Sequence, residues 1–322
     1  MEDPSGVHAL SRDAVVYVAG HRGLVGSAVW RHLQERGFTR LVGRNSRELD
    51  LRDRPSVLRF VQEQAPEAVV VAAARVGGIL ANSTYPADFL SENLQIQVNL
   101  LDAAQRAAVP RLLFLGSSCI YPKLAEQPIR EDSLLTGPLE PTNDAYAIAK
   151  IAGIMQVQAV RRQHGLPWIS AMPTNLYGPG DNFDPQTSHV LPAMLQRFSE
   201  AAATGAASVT CWGSGAPRRE FLYVDDLAAA ALFLLEHYDD PETINVGTGE
   251  DVSIAELAQS VAAVVGYSGG IAWDTTKPDG TARKLLDVSK LQRLGWKASV
   301  RLDDGLQETY RWYQEHVADL RR

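Results

Sequence analysis

The chain has 322 residues, 45% of them hydrophobic and 21% charged, with a formal net charge of −7. That length suits one large or two modest domains with a substantial core, and an acidic balance gives no bulk reason for a nucleic-acid partner. Residues 1–13 hold no apolar run of signal-peptide length, no apolar run is long enough to span a bilayer, and Cys119 and Cys211 are too few for a disulfide framework. The expectation is a reducing, cytoplasmic setting with no membrane partner.

Ala14 to Ala19 reads as a buried strand, and Gly20, His21, Arg22, Gly23, Leu24, Val25 and Gly26 turn it into a helix running to about Arg36. Glycines at this spacing permit a tight turn, close approach of a phosphate and close helix–strand packing, while the helix start attracts a pyrophosphate. The next strand, Arg40 to Gly43, ends without the carboxylate that binds a ribose hydroxyl. Arg44 and Arg47 follow it, and Arg22 stands in the first loop. Arginines in place of a carboxylate suit a 2′-phosphate, which favours NADP over NAD.

Glu67 to Ala74 is an all-apolar strand of the kind buried on both faces of a parallel sheet. Pro86 opens a helix to about Ala108, and Arg111 to Leu115 is the fourth strand. Strands alternating with helices predict an α/β fold with a doubly wound parallel sheet. The loop that follows holds Gly116, Ser117, Ser118 and Cys119 at the carboxyl end of the strand, where such sheets place their ligands. The next helix starts at Asn143 or Asp144, either of which can cap it, and carries Tyr146 and Lys150 four residues apart on one face. A cation beside a phenol favours the phenolate, so this pair suits proton transfer at a carbinol.

A strand at Trp168 to Met172 precedes an irregular loop over 174–190 that contains Gly178, Pro179, Gly180 and Pro185. A helix from His189 to Ala203, strands at Val209 to Trp212 and Glu220 to Val224, a helix from Asp225 to His237 and a strand at Thr243 to Val246 follow. The remainder mixes short elements around a polar loop, Thr275 to Lys284. No internal repeat or linker appears, so a second domain is expected to be interleaved with the first. Residues 12–178 with about 222–250 would bind a dinucleotide, and about 179–221 with 251–322 a substrate. His8, His21, His32, His164, His237 and His316 show no metal-ligand spacing with one another or with Cys211, and no metal is expected. On their own, Cys119 fits a small buried hydrophobe as well as a base, and His189 an ordinary helix-start histidine as well as an acid.

The segments AGHRGLVGSA, AAARVGGILAN, LLFLGSSCIYPK, EPTNDAYAIAKIAG, PTNLYGPGDNF, SHVLPA, WGSG, REFLYVDD, NVGTG and KPDGTARKLLDV resemble the extended short-chain dehydrogenase/reductase family. The likeness runs from about Val15 to the C-terminal helix. It implies a Rossmann sheet with a smaller interleaved C-terminal α/β substrate domain. The glycine turn and the Tyr–Lys pair are shared across that family. The Ser-Ser-Cys-Ile-Tyr-Pro and Ser-His-Val-Leu-Pro segments are narrower and resemble the members that epimerise GDP-4-keto-6-deoxy-mannose at two carbons and reduce its ketone with NADPH.

The resemblance implies that Tyr146 gives its proton to the keto oxygen, that Lys150 holds the nicotinamide ribose and depresses the tyrosine pKa, and that Ser117, with Ser118 beside it, bonds the same oxygen. Cys119 and His189 would be base and acid of the epimerisation. Cofactor contacts would come from the 20–26 turn, from residues 46–51 beginning with Ser46 and Arg47, from Leu115 to Ser118, from Lys150, from Asn175, Leu176, Tyr177 and Gly178, and from His189. Arg197, Trp212, Arg219 and Asp279 would touch the substrate, an arginine suiting a diphosphate and a tryptophan a sugar or base. A homodimer would form through a four-helix bundle of the Pro86–Ala108 and Asp144–His164 helices. Two positions depart from the family pattern: Ser46 stands where members often carry an arginine for the 2′-phosphate, leaving that contact to Arg44, Arg47 or Arg22, and Arg75 replaces the usual lysine. A dehydratase on the same fold would be expected to carry a carboxylate where this loop has Ser118 and Cys119. A cofactor-sensing protein without chemistry commonly loses the tyrosine or lysine, and this chain keeps both.

Overall fold

A computed structural model describes residues 9–184, 187–277 and 279–320; the polar N-terminal stretch with Pro4 and His8, and Pro185 of the irregular loop, lie outside the described residues. In chain order the first part is β1 (Val15–Ala19), α1 (Leu24–Glu35), β2 (Arg40–Val42), α2 (Arg54–Gln64), β3 (Ala68–Val71), α3 (Ile79–Thr84), α4 (Pro86–Arg106), β4 (Arg111–Leu115), α5 (Asp144–His164) and β5 (Ile169–Pro173). Then come β6 (Asn175–Tyr177), α6 (Val190–Thr204), β7 (Ser208–Trp212), β8 (Arg218–Arg219), β9 (Phe221–Tyr223), α7 (Val224–His237) and β10 (Ile244–Val246). The chain closes with β11 (Val252–Ser253), α8 (Ile254–Val265), β12 (Gly270–Asp274), β13 (Arg283–Lys284), α9 (Ser289–Arg293) and α10 (Leu302–Leu320).

Six strands form one parallel sheet in the order β10-β5-β4-β3-β1-β2. The chain leaves β1 for β2 on one side and returns to β3 on the other, so the order reverses between β1 and β3. The crevice at the carboxyl ends of these strands is where such sheets receive ligands. Valine-rich strands without polar residues suit burial on both faces. Along β1, Val16 and Val18 enter a core with α1 and α7, while Tyr17 and Ala19 enter a second core with α2, α4 and α5. A third core gathers Tyr177, Leu191, Phe198, Cys211, Phe221, Leu257 and Tyr313 from the elements outside the sheet.

Several elements differ from expectation; among them, α3 has no counterpart in the sequence reading and β6 lies within the 174–190 stretch expected to be an irregular loop. Helix α2 has no counterpart in the sequence reading, although Asp53 at its N-cap and proline in the first turn are the start signal of a helix. Strand β3 ends at Val71 rather than Ala74. Beyond it, Asn93 of α4 takes over the ladder's work, accepting from the Arg75 amide at 2.8 Å and donating to its carbonyl at 3.0 Å. Among the described residues no helix is long and apolar enough to cross a membrane.

Candidate active site

The β1–α1 turn is shaped by its glycines. Gly20 has φ +84°, and a Cβ on Gly26 would lie 2.0 Å from the Gly20 carbonyl oxygen. Gly23 differs, because a Cβ there would meet only that oxygen, at 3.5 Å, which is ordinary contact. The side chain missing at Gly23 is therefore room left open rather than room the fold needs. Gly23 is the N-cap of α1 and provides no side-chain bond, and the first turn holds no acidic residue. The amides of Leu24, Val25 and Gly26 thus begin the helix without a partner among the described residues, a cradle suited to a phosphate.

Around this turn, burial lowers the His21 pKa, and Arg22 and Arg44 lower it further, so both cations stand close to that ring. Nδ1 of His21 is buried without a partner among the described residues. Arg44 donates to the Gly43 carbonyl at 2.8 Å and lies over the Phe60 ring at 5.5 Å. Ser46 and Arg47 are exposed on a turn in which Asn45 Oδ1 accepts from the Arg47 amide at 2.9 Å. These residues fit a dinucleotide whose adenosine end carries an extra phosphate.

At the end of β4, Leu115 turns its carbonyl to Lys150, whose Nζ donates to it at 2.8 Å from within the protein. Ser117 is the N-cap of a short 3-10 turn, its hydroxyl accepting from the Cys119 amide at 3.2 Å; Ser118 is buried within it. Burial raises the pKa of Tyr146, as does the neighbouring Cys119, while a hydrogen bond from Ser117 works the other way. Tyr146, Ser117 and Cys119 therefore meet at one point.

Two expectations for this helix need correction. Lys150 does not depress Tyr146 in the protein alone, because its ammonium is drawn to the Leu115 carbonyl and stands 5.9 Å from the phenol ring centre. Burial lowers the Lys150 pKa to about 8. Neither proposed cap bonds the helix start as expected. Asn143 occupies the N-cap without a capping bond, and Asp144 Oδ1 accepts only from the adjacent Ala145 amide, at 2.7 Å.

The sulfur of Cys119 has two donors: Asn143 Nδ2 at 3.3 Å and Lys284 Nζ at 3.7 Å. Arg219 lies near enough for Cys119 to act on it, although burial is the stronger influence and lowers its pKa. Strand pairing explains this convergence, since β13 runs parallel to β8 with Lys284 opposite Arg219. The intervening Glu220 is buried, and its carboxylate accepts from the amides of Thr248 at 2.7 Å, Gly249 at 2.8 Å and Leu286 at 3.0 Å. It fastens the strand carrying Arg219 to the segment carrying Lys284.

The other named residues are spread more widely. His189 is the N-cap of α6, with an exposed surface, yet the surrounding protein desolvates the ring enough to lower its pKa. Asn175 Nδ2 donates to the Glu220 carbonyl at 2.8 Å, Leu176 pairs with Leu222, and the Tyr177 ring is buried in the third core. Only backbone is thus left at Tyr177 and Gly178 for a ligand. Arg197 donates to the Thr210 carbonyl at 3.0 Å, and Trp212 at the end of β7 is 60% exposed with Lys277 Nζ 5.6 Å from its ring. Asp279 accepts from the Ser214 amide at 2.7 Å and from its hydroxyl at 2.8 Å. Arg197, Trp212 and Asp279 thus share one neighbourhood, built on β7 and the loop after it, and Arg219 reaches toward it as well as toward the sulfur, its Nη2 3.7 Å from where a Cβ on Gly280, next to Asp279, would stand. Lys284 and Lys277 escaped sequence reasoning because no spacing marks them; both sit in a polar loop that reads as surface.

Residues 16–247 match the NAD dependent epimerase/dehydratase family. GDP-L-fucose synthase 1 of Arabidopsis thaliana is 58% identical over 96% of this chain and 95% of its own. GDP-L-fucose synthase of Escherichia coli (strain K12) is 53% identical over 94% and 97%. Among solved structures, a GDP-L-fucose synthetase from Naegleria fowleri bound to NADP superposes with a TM-score of 0.90 at 30% identity, covering 98% of this chain and 97% of that one. A GDP-6-OMe-4-keto-L-xylo-heptose reductase from C. jejuni gives 0.91 at 35% identity, over 96% and 99%. The chain belongs to the NAD dependent epimerase/dehydratase family. Within that family its high-identity relatives are GDP-L-fucose synthases.

Proposed function

We propose that the chain converts GDP-4-keto-6-deoxy-D-mannose to GDP-L-fucose, inverting C3 and C5 and reducing the C4 ketone with NADPH. The observation that carries this reading is the meeting of Cys119, Ser117 and Tyr146 at the end of β4, with two donors on the sulfur. For each inversion, Cys119 as thiolate takes the proton from the carbon beside the ketone, and the electron pair moves onto the carbonyl oxygen as an enolate. His189 delivers its own proton to the opposite face, so the carbon gains a new hydrogen with inverted configuration, and the Cys119 thiol and the neutral imidazole reset by exchange with solvent. A desolvated imidazole gives up its proton readily, which suits that step.

Bound NADPH supplies the hydride that reduces C4. Tyr146 gives the ketone oxygen its proton while Ser117 holds that oxygen, and a phenol kept protonated by burial is ready to donate. Lys150 fixes the Leu115 carbonyl and stands ready to hold the nicotinamide ribose. The β1–α1 turn receives the pyrophosphate, with Arg22, Arg44 and Arg47 for the 2′-phosphate in the absence of an arginine at Ser46. Asn175 to Gly178 complete the cofactor contacts. Arg197, Trp212, Arg219 and Asp279 take the GDP-sugar, within the division of 12–178 plus 222–250 for cofactor and 179–221 plus 251–322 for substrate. A homodimer through α4 and α5 is part of the same reading, supported by exposed Val98, Ile148 and Met155 on those helices; a monomeric mass by light scattering would remove it.

Two variants separate the half-reactions in heavy water. Tyr146→Phe is expected to exchange ring hydrogens of the substrate while consuming almost no NADPH. Cys119→Ser, whose hydroxyl stays protonated at neutral pH, is expected to lose exchange by orders of magnitude. Exchange at the wild-type rate in Cys119→Ser would take Cys119 out of the mechanism.

A further inference from the structure

Asn143 stands where a helix most rewards an asparagine, and its side chain does something else. It is the N-cap of α5, and its carbonyl accepts from the Ala147 amide at 3.0 Å, as the helix requires. A capping side chain would also accept from an amide of the first turn. Instead Nδ2 points to the Cys119 sulfur at 3.3 Å, and Oδ1 is buried with no partner among the described residues. Forfeiting the cap and leaving a buried carbonyl oxygen without a donor both disfavour the folded state. A side chain held at that double cost is held for something other than the helix.

We infer that Asn143 serves two partners at once: its amide NH2 holds the Cys119 sulfur as an anion, and its carbonyl oxygen accepts a hydroxyl of the sugar ring beside the carbon being deprotonated. The inference rests on the epimerase reading above and adds a substrate contact to it. An anionic sulfur only accepts hydrogen bonds, so it must face the NH2 end of the amide, and the oxygen is thereby turned the other way. That oxygen can take only a donor. The nucleotide sugar offers ring hydroxyls next to its ketone. One side chain would then fix the base and the C–H bond it attacks relative to each other, which is how positioned groups gain rate.

The charged and titratable groups facing the sulfur come from three elements: Lys284 of β13, Arg219 of β8 and Tyr146 of α5. Glu140 acts on Arg219 in turn and is bound to Lys123 at 3.1 Å and Thr281 at 3.1 Å. Lys284 and Arg219 supply charge, and Asn143 supplies the directed donor.

Asn143→Ser tests this with a residue that caps helices well, so the variant is expected to fold with a thermal midpoint at or above wild type. Iodoacetamide alkylation of Cys119, followed at neutral pH by peptide mass spectrometry, should run roughly tenfold slower than in the unaltered protein. Cys211 is 1% exposed and serves as the unreactive internal control. Deuterium exchange into GDP-4-keto-6-deoxy-mannose should fall at least tenfold, with NADPH affinity unchanged. A wild-type alkylation rate with wild-type exchange would overturn the proposal, and so would a lowered thermal midpoint with an unchanged rate. If the unaltered protein exchanges no hydrogen into that sugar, the functional reading fails, while the alkylation rate still decides the sulfur contact.

Discussion

Lys150 shows what a functional side chain costs the fold. It is 4% exposed, with its ammonium on a backbone carbonyl and its pKa lowered by burial to about 8. A lysine with a depressed folded pKa is protonated preferentially in the unfolded chain. The unfolded state therefore binds more protons between about pH 8 and the usual lysine value of 10.5, and stability rises with pH across that window. Below about pH 8 the penalty is fully present, on the order of 3 kcal/mol. Lys150→Met should thus be more stable than wild type at pH 7, converge with it toward pH 10 and lose reductase activity. Denaturant midpoints measured across pH check this, and a variant less stable than wild type at pH 7 would refute the burial argument. At this scale the sequence was partly legible. The helical spacing of Tyr146 and Lys150 and the place of Ser117 and Cys119 after a strand are visible in the sequence, but their roles came from the family resemblance rather than from spacing. Asn143 was silent, because an asparagine before a helix reads as a cap and only the folded chain turns its amide to the sulfur. Lys284 was equally silent, since its partner lies 165 positions away in the chain.

Among the elements, the β1–α1 turn separates what folding demands from what a ligand demands. Gly26→Ala would place a Cβ 2.0 Å from the Gly20 carbonyl oxygen, against backbone that cannot yield cheaply. It should cost roughly 1–3 kcal/mol of stability as well as cofactor binding. Gly23→Ala has room, with its one contact at 3.5 Å and an extended backbone of φ −78°. It should keep its thermal midpoint yet weaken NADPH at least tenfold, by filling the space reserved for a phosphate. Calorimetric titration paired with a melt would decide it: a Gly23→Ala protein that binds NADPH normally would show that the cradle holds no phosphate. The glycine turn and the long helices were readable because apolar periodicity and glycine spacing act locally. Helix α2 passed unnoticed since only Val57 and Val61 of its length are fully buried, which leaves little periodic signal. The end of β3 was overextended because an apolar run cannot reveal that a side chain of α4, Asn93, replaces its neighbouring strand.

For the whole molecule, the doubly wound parallel sheet followed from alternation of strands and helices, and the third core did not, because β6, β8, β9, β11 and β13 are two or three residues long and hold together by pairing across distant segments. That pairing brings Arg219 and Lys284 to the sulfur, so the site is complete only when both parts of the chain are folded. The central claim is that one site performs two inversions and one reduction. It is tested most directly by supplying the protein with NADPH and GDP-4-keto-6-deoxy-mannose in heavy water and identifying the sugar by NMR and mass spectrometry. GDP-L-fucose with deuterium at both C3 and C5 and one NADPH consumed per sugar is the expected result; a C4-reduced product without ring deuterium, or no NADPH consumption, would overturn it.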